Sequence, residues 1–140
     1  MVIMEPKKAS SAVYAINYHI IWVTKYRKKV LTPEIQKSLD TIVSTICDTK
    51  GWILIESQSM PEHIHIFLSA TPFEKPVDIV KILKGVTAKQ LYAIHPELRN
   101  SLRRGHLWSP SYYIGSAGNV SAEIIERYIR EQQSKDGRCN

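Results

Sequence analysis

Cysteine is scarce: the 140-residue chain holds only Cys47 and Cys139. Their spacing matches no metal-ligand pattern and offers no disulfide framework, so both thiols are expected to be reduced. Long apolar runs are missing as well. None approaches the ~20 residues that cross a bilayer, and the opening Met1-Val2-Ile3-Met4-Glu5-Pro6 lacks a signal-peptide pattern. A cytoplasmic protein with no membrane partner is expected. Acidic residues are outnumbered, 13 Asp and Glu against 19 Lys and Arg, which leaves a formal net charge of +6. That balance favours a polyanionic partner and argues against a small-molecule substrate. There is no internal repeat and no low-complexity tract.

What is present suits one domain over residues 1–140. At this length roughly two-thirds of the unfolded chain's surface can be buried. A composition of 44% hydrophobic and 23% charged residues is that of an ordinary globular protein. Residues 1–11 read as a flexible polar lead-in and 134–140 as a frayed tail. Residues 12–24 are rich in β-branched and aromatic side chains at both alternating sets of positions, which predicts a central strand packed on two sides. Lys25-Tyr26-Arg27-Lys28-Lys29 follows, four cations around one aromatic. Thr32 and Pro33 open a helix that runs through Ile35, Leu39, Ile42, Val43 and Ile46 to Gly51. Residues 52–57 and 63–70 form an expected antiparallel pair.

A second helix is predicted from near Pro76, carrying Val77, Ile79, Val80, Leu83 and Val86 with Leu91 a turn further on, and Lys81, Lys84 and Lys89 mostly off its apolar side. A fourth strand is predicted over 107–114, broken or placed at an edge by Pro110. After Gly115-Ser116-Ala117-Gly118, a turn or a hinge, Ser121 caps a terminal helix. The order predicts an α+β fold: a ferredoxin-like or RRM-like βαββαβ antiparallel sheet with helices on one face, plus a C-terminal helix.

Chemistry concentrates in two places. On a strand with a side-chain period of two, His63 and His65 project from one face while Ile64 points into the other, offering two imidazole nitrogens on a rigid floor. On the terminal helix Tyr128 and Gln132 lie one turn apart, ~6 Å along the axis, so a phenol and an amide oxygen can be presented together. Glu62 adjoins the first histidine, but strand alternation turns it away from the histidine face unless the strand begins after it. It is a minor candidate as ligand or general acid/base. Taken alone, a histidine pair on a strand is more often structural than metal-binding, and a helix tyrosine more often packs on a sheet.

Four separated motifs change that weighting. They are Tyr18-His19-Ile20-Ile21-Trp22-Val23-Thr24-Lys25-Tyr26-Arg27, Met60-Pro61-Glu62-His63-Ile64-His65-Ile66, Leu107-Trp108-Ser109-Pro110-Ser111-Tyr112-Tyr113 and Tyr128-Ile129-Arg130-Glu131-Gln132. In this order the chain resembles the single-tyrosine transposases of the IS200/IS605 type, members of the His-hydrophobe-His endonuclease superfamily. The resemblance implies a DNA transposase that cuts and rejoins single-stranded DNA at insertion-sequence ends through a 5′-phosphotyrosine on Tyr128. It implies Mg²⁺ or Mn²⁺ held by His63, His65 and Gln132, recognition of hairpins near the ends, and a homodimer. By analogy Lys25, Arg27, Lys28, Arg103 and Arg104 are candidate DNA-backbone contacts and Tyr26 a base-stacking candidate. His19 matches the early motif without an assigned role, and a buried, hydrogen-bonded histidine is the expectation.

Two other readings compete. A related endonuclease acting on chromosomal repeat hairpins, outside any mobile element, would keep the same site. An RRM-like nucleic-acid-binding module without catalysis would need stacking aromatics on the strand over 63–70, where histidines stand instead. A small-molecule metallohydrolase is disfavoured by the basic charge and by the absence of an acidic ligand cluster around the histidine pair.

Overall fold

A computed structural model describes residues 7–9, 12–14, 16–102, 106–116 and 130–131. A four-stranded antiparallel sheet is built from β3 (Ile16–Val23), β4 (Ile53–Met60), β5 (His63–Ala70) and β6 (Tyr113–Ser116), in the spatial order β4-β5-β3-β6. Helix α1 (Pro33–Lys50) crosses between β3 and β4, and α2 (Pro76–Ile94) with the short α3 (Leu98–Ser101) connects β5 to β6. This is the expected βαββαβ arrangement with its two central strands from the first and third positions.

Alternation decides what each face does. Ile20 and Trp22 of β3 and Ile64, Ile66 and Leu68 of β5 enter one core with Leu39 and Val43 of α1 and Ile79 and Leu83 of α2. His19, Ile21 and Val23, and His63, His65 and Phe67, therefore take the opposite face. Ile21 and Val23 are fully buried there, so β3 is covered on both sides, as its two apolar faces predict.

Local chemistry accounts for the helix boundaries. The Thr32 hydroxyl accepts from the Ile35 N–H, Pro33 takes the first helical turn, and Gly51 closes α1 at φ 75°. A left-handed conformation there favours a residue without Cβ.

Several boundaries differ from expectation. The strand expected over 12–24 is divided: β2 (Ala12–Tyr14) pairs with β1 (Lys7–Ala9) in a separate two-stranded ribbon, and only β3 joins the main sheet. β1 thus lies inside the stretch expected as lead-in. β4 continues to Met60 because Gln58, Ser59 and Met60 pair with His65, Ile64 and His63. That leaves Pro61-Glu62 as a two-residue turn.

The fourth strand starts at Tyr113 rather than near Leu107. Pro110 interrupts the run, and Trp108 makes an isolated bridge to Thr24. Gly115 belongs to β6, where a Cβ would sit 2.5 Å from the Tyr113 hydroxyl, so it accommodates that ring and is not part of a turn. Tyr128, Gln132, Arg103, Arg104 and Gly118 lie outside the described residues. Arg130 and Glu131 are helical.

Candidate active site

The histidine pair forms where the β4–β5 hairpin meets the end of β3. Register sets His63 opposite Val23 and His65 opposite Ile21, both histidines on the face away from the helices. Because β5 begins at His63, Glu62 stands in the turn and is free of strand alternation. Its Oε1 lies 2.9 Å from His63 Nδ1, which leaves Nε2 as the nitrogen His63 can offer. A carboxylate holding the far nitrogen of a histidine fixes its tautomer and ring orientation.

His65 is half-buried, and its pKa is lowered by that burial first, then by the neighbouring His19 and His63, with Glu56 pulling the other way. Its imidazole is therefore held toward the neutral form that a metal ligand requires. His65 Nε2 is 2.9 Å from His19 Nδ1. His19 is thus hydrogen-bonded, as expected, but half-buried rather than buried, and its partner is a member of the pair.

Three sequence motifs are laced together at this end of the sheet. The buried Thr24 donates its N–H to the Glu62 carbonyl at 2.9 Å and its hydroxyl to the Lys28 carbonyl at 2.6 Å. Leu31 N–H reaches the Pro61 carbonyl at 3.0 Å, Lys25 N–H the Leu107 carbonyl at 2.8 Å, and Ser109 N–H the Val23 carbonyl at 2.9 Å. The basic turn, the histidine turn and the Leu107–Ser109 segment consequently form one unit. Within it Tyr26 and Arg27 adopt left-handed φ values of 58° and 53°, each costing about 1–2 kcal/mol for a residue with a Cβ. Such strain persists where the surroundings over-determine it, and it clusters at functional sites.

Lys25 Nζ lies 5.2 Å from the Tyr26 ring centroid. Lys28 is exposed, although its ammonium also donates to the Ser101 carbonyl at 3.2 Å. Lys84, read from sequence as a residue of a polar helix face, is turned inward. It donates to the carbonyls of Ser109 at 2.6 Å and Ser111 at 3.2 Å, and burial pulls its pKa down to about 8. No periodicity argument finds that role, because the partners are carbonyls of a loop 25 and 27 residues away.

Among the described residues no group of three or more His, Cys, Asp or Glu is placed to hold a metal ion. The expected third ligand, Gln132, is none of those types and lies outside the described residues.

The sequence model described as "Transposase IS200 like" matches residues 12–132. The chain belongs to the IS200-like transposase family. It is 38% identical over 133 residues to the ISDra2 transposase TnpA of Deinococcus radiodurans, covering 95% of each chain. It is 28% identical to the transposase for insertion sequence element IS200 of Salmonella typhimurium, covering 85% of this chain and 78% of that one. A crystal structure assigned to a transposase of Deinococcus radiodurans R1 superposes with a TM-score of 0.84 at 36% identity, over 90% of this chain and 97% of the other. A REP-associated tyrosine transposase bound to a REP hairpin shares the fold, at a TM-score of 0.53 and 13% identity over 89% of this chain and 68% of that one. In this IS200-like transposase all three described family motifs converge on the histidine turn.

Proposed function

We propose that this IS200-like transposase cleaves and rejoins single-stranded DNA at insertion-sequence ends, with Tyr128 as nucleophile. The observation that carries the reading is the convergence at His63 and His65: two imidazoles on one face, Glu62 behind the first, and the Lys25–Lys28 turn strapped beside them. His63, His65 and the amide oxygen of Gln132 would hold Mg²⁺ or Mn²⁺. Two neutral nitrogens and one oxygen donor suit a divalent ion with positions left open. When bound, the ion supplies Lewis-acid charge at a phosphate oxygen.

The chain's own residues do the remainder. Lys25, Arg27 and Lys28, with Arg103 and Arg104, hold the DNA backbone, and Tyr26 offers a ring for base stacking. The Tyr128 oxygen, having lost its proton, attacks the scissile phosphorus. The P–O3′ bond breaks, the departing 3′-oxygen takes up a proton, and a 5′-phosphotyrosine remains. Attack by a different 3′-hydroxyl reverses the step and joins new strands without ATP. Only about one phenol in a thousand is ionised at pH 7, so the reaction calls for neighbouring positive charge to favour the phenolate. Glu62 acts through His63, as an orienting carboxylate.

One nucleophile cuts one strand once, and moving an element takes breaks at two ends, so two copies of the chain act together as a homodimer. Hairpin recognition near the ends is the family expectation, and a protein of the same fold is bound to a REP hairpin.

The test uses end-labelled single-stranded hairpin DNA from the gene's flanks, wild-type and Tyr128→Phe protein, and Mg²⁺, Mn²⁺ or EDTA. An SDS-resistant adduct that needs the metal and the tyrosine is expected. Binding to both flanks with no adduct under either metal would reduce the protein to a DNA-binding module.

A further inference from the structure

His19 stands on β3 two residues before Ile21, the residue opposite His65, and so shares the histidine face. Its Nδ1 is 2.9 Å from His65 Nε2. Its ring lies 4.3 Å from Phe67, tilted by only 2°, and 5.2 Å from the His65 ring. The Phe67 stack fixes the plane of His19, and with it the direction in which Nδ1 points. Across a contact between two neutral imidazoles one nitrogen carries the proton and the other accepts it, so the pairing ties the two tautomers together: when His65 Nε2–H donates to a bare His19 Nδ1, His65 Nδ1 keeps its lone pair free for a ligand.

We propose that His19 is a positioning residue for His65: it holds one of that ring's nitrogens and so sets the orientation and tautomer in which the other is presented, as Glu62 does for His63. The two members of the pair are thus oriented by chemically different supports, one a carboxylate from the hairpin turn and the other an imidazole from the central strand. The consequence for metal affinity rests on the reading of His65 as a ligand. The consequence for tautomer does not.

Full-length His19→Phe keeps a ring against Phe67 and removes both nitrogens, whereas His19→Asn keeps an amide near the place of Nδ1. His19→Leu removes the same nitrogens and stands in should the phenylalanine variant not fold. Ring-nitrogen NMR of metal-free protein reads the His65 tautomer, and calorimetric titration with Mn²⁺ reads affinity. A single His65 tautomer is expected in the wild type and a mixture in His19→Phe, with affinity about 10–100-fold weaker and largely restored by Asn. An unchanged His65 tautomer with unchanged Mn²⁺ affinity in His19→Phe overturns the proposal. Should the wild type itself take up no Mn²⁺, the metal reading fails, and the tautomer measurement alone then decides the role of His19.

Discussion

Single residues here owe their chemistry to what stands behind them. Glu62 touches His63 Nδ1 at 2.9 Å, and removing its charge while keeping its shape isolates that contact. Glu62→Gln is expected to weaken Mn²⁺ binding by about 10–100-fold with an unchanged circular dichroism spectrum; unaltered affinity would give the carboxylate no orienting role. Cys47 shows the opposite case, a reactive type made inert. It is a buried free thiol whose pKa is pushed up to about 11 by burial and then by Asp48. Since the thiolate is the reacting form, a thiol-exchange reagent at pH 8 is expected to leave Cys47 unmodified in the native protein and to label it in denaturant. Mass spectrometry of the Cys47 peptide reads the difference.

At the scale of elements, loops are held by side chains that sequence patterns place on surfaces. Thr24 closes the basic turn onto the histidine turn through two carbonyls, those of Lys28 at 2.6 Å and Glu62 at 3.3 Å. Thr24→Val keeps the volume and removes only the hydroxyl bond, since backbone N–H groups of residue 24 and Val30 still reach the two carbonyls, at an expected cost of about 0.5–1.5 kcal/mol in urea unfolding.

Lys84 holds the Ser109–Ser111 segment that leads into β6. With its ammonium pKa lowered to about 8 from 10.5, the unfolded chain binds more protons between those values. This group therefore makes stability rise as pH climbs from 8 to 10.5. Cys47 works against it, since its thiol keeps its proton in the folded chain between 9.0 and about 11. Lys84→Met is expected to remove the rising contribution, so that stability falls more steeply across pH 8–10.5 than in the wild type. Denaturant midpoints measured over that range test the sign.

For the whole molecule, charge and fold meet on DNA. A net charge of +6 predicts binding that weakens as salt rises, because neutralised phosphates release counterions. If Lys25 and Arg27 each contact a phosphate of a single strand, Lys25→Ala with Arg27→Ala should reduce the slope of log K against log salt by about 1.4 in magnitude, ~0.7 per contact. A pair of variants that lowers affinity with the slope unchanged would place those side chains away from the backbone. No helix among the described residues is long and apolar enough to cross a membrane.

Local pattern was sufficient wherever neighbours in sequence settle the structure. The Thr32-Pro33 start and Gly51 end of α1, the start of α2 at Pro76 and the alternation that sets His63 and His65 on one face follow from caps, fixed φ values and a period of two. The four motifs in order also carried the family, since residue types can be compared without knowing where they sit. Only the tertiary structure decided what lies across a strand or beneath a loop. The pairing of Gln58–Met60 with His63–His65 lengthened β4, and the bridge from Trp108 to Thr24 displaced the fourth strand. His19 met His65 across 46 residues of chain, and Lys84 turned inward to loop carbonyls. Each of these depends on partners remote in sequence, whose proximity is fixed by sheet order and register and leaves no periodic trace at either residue.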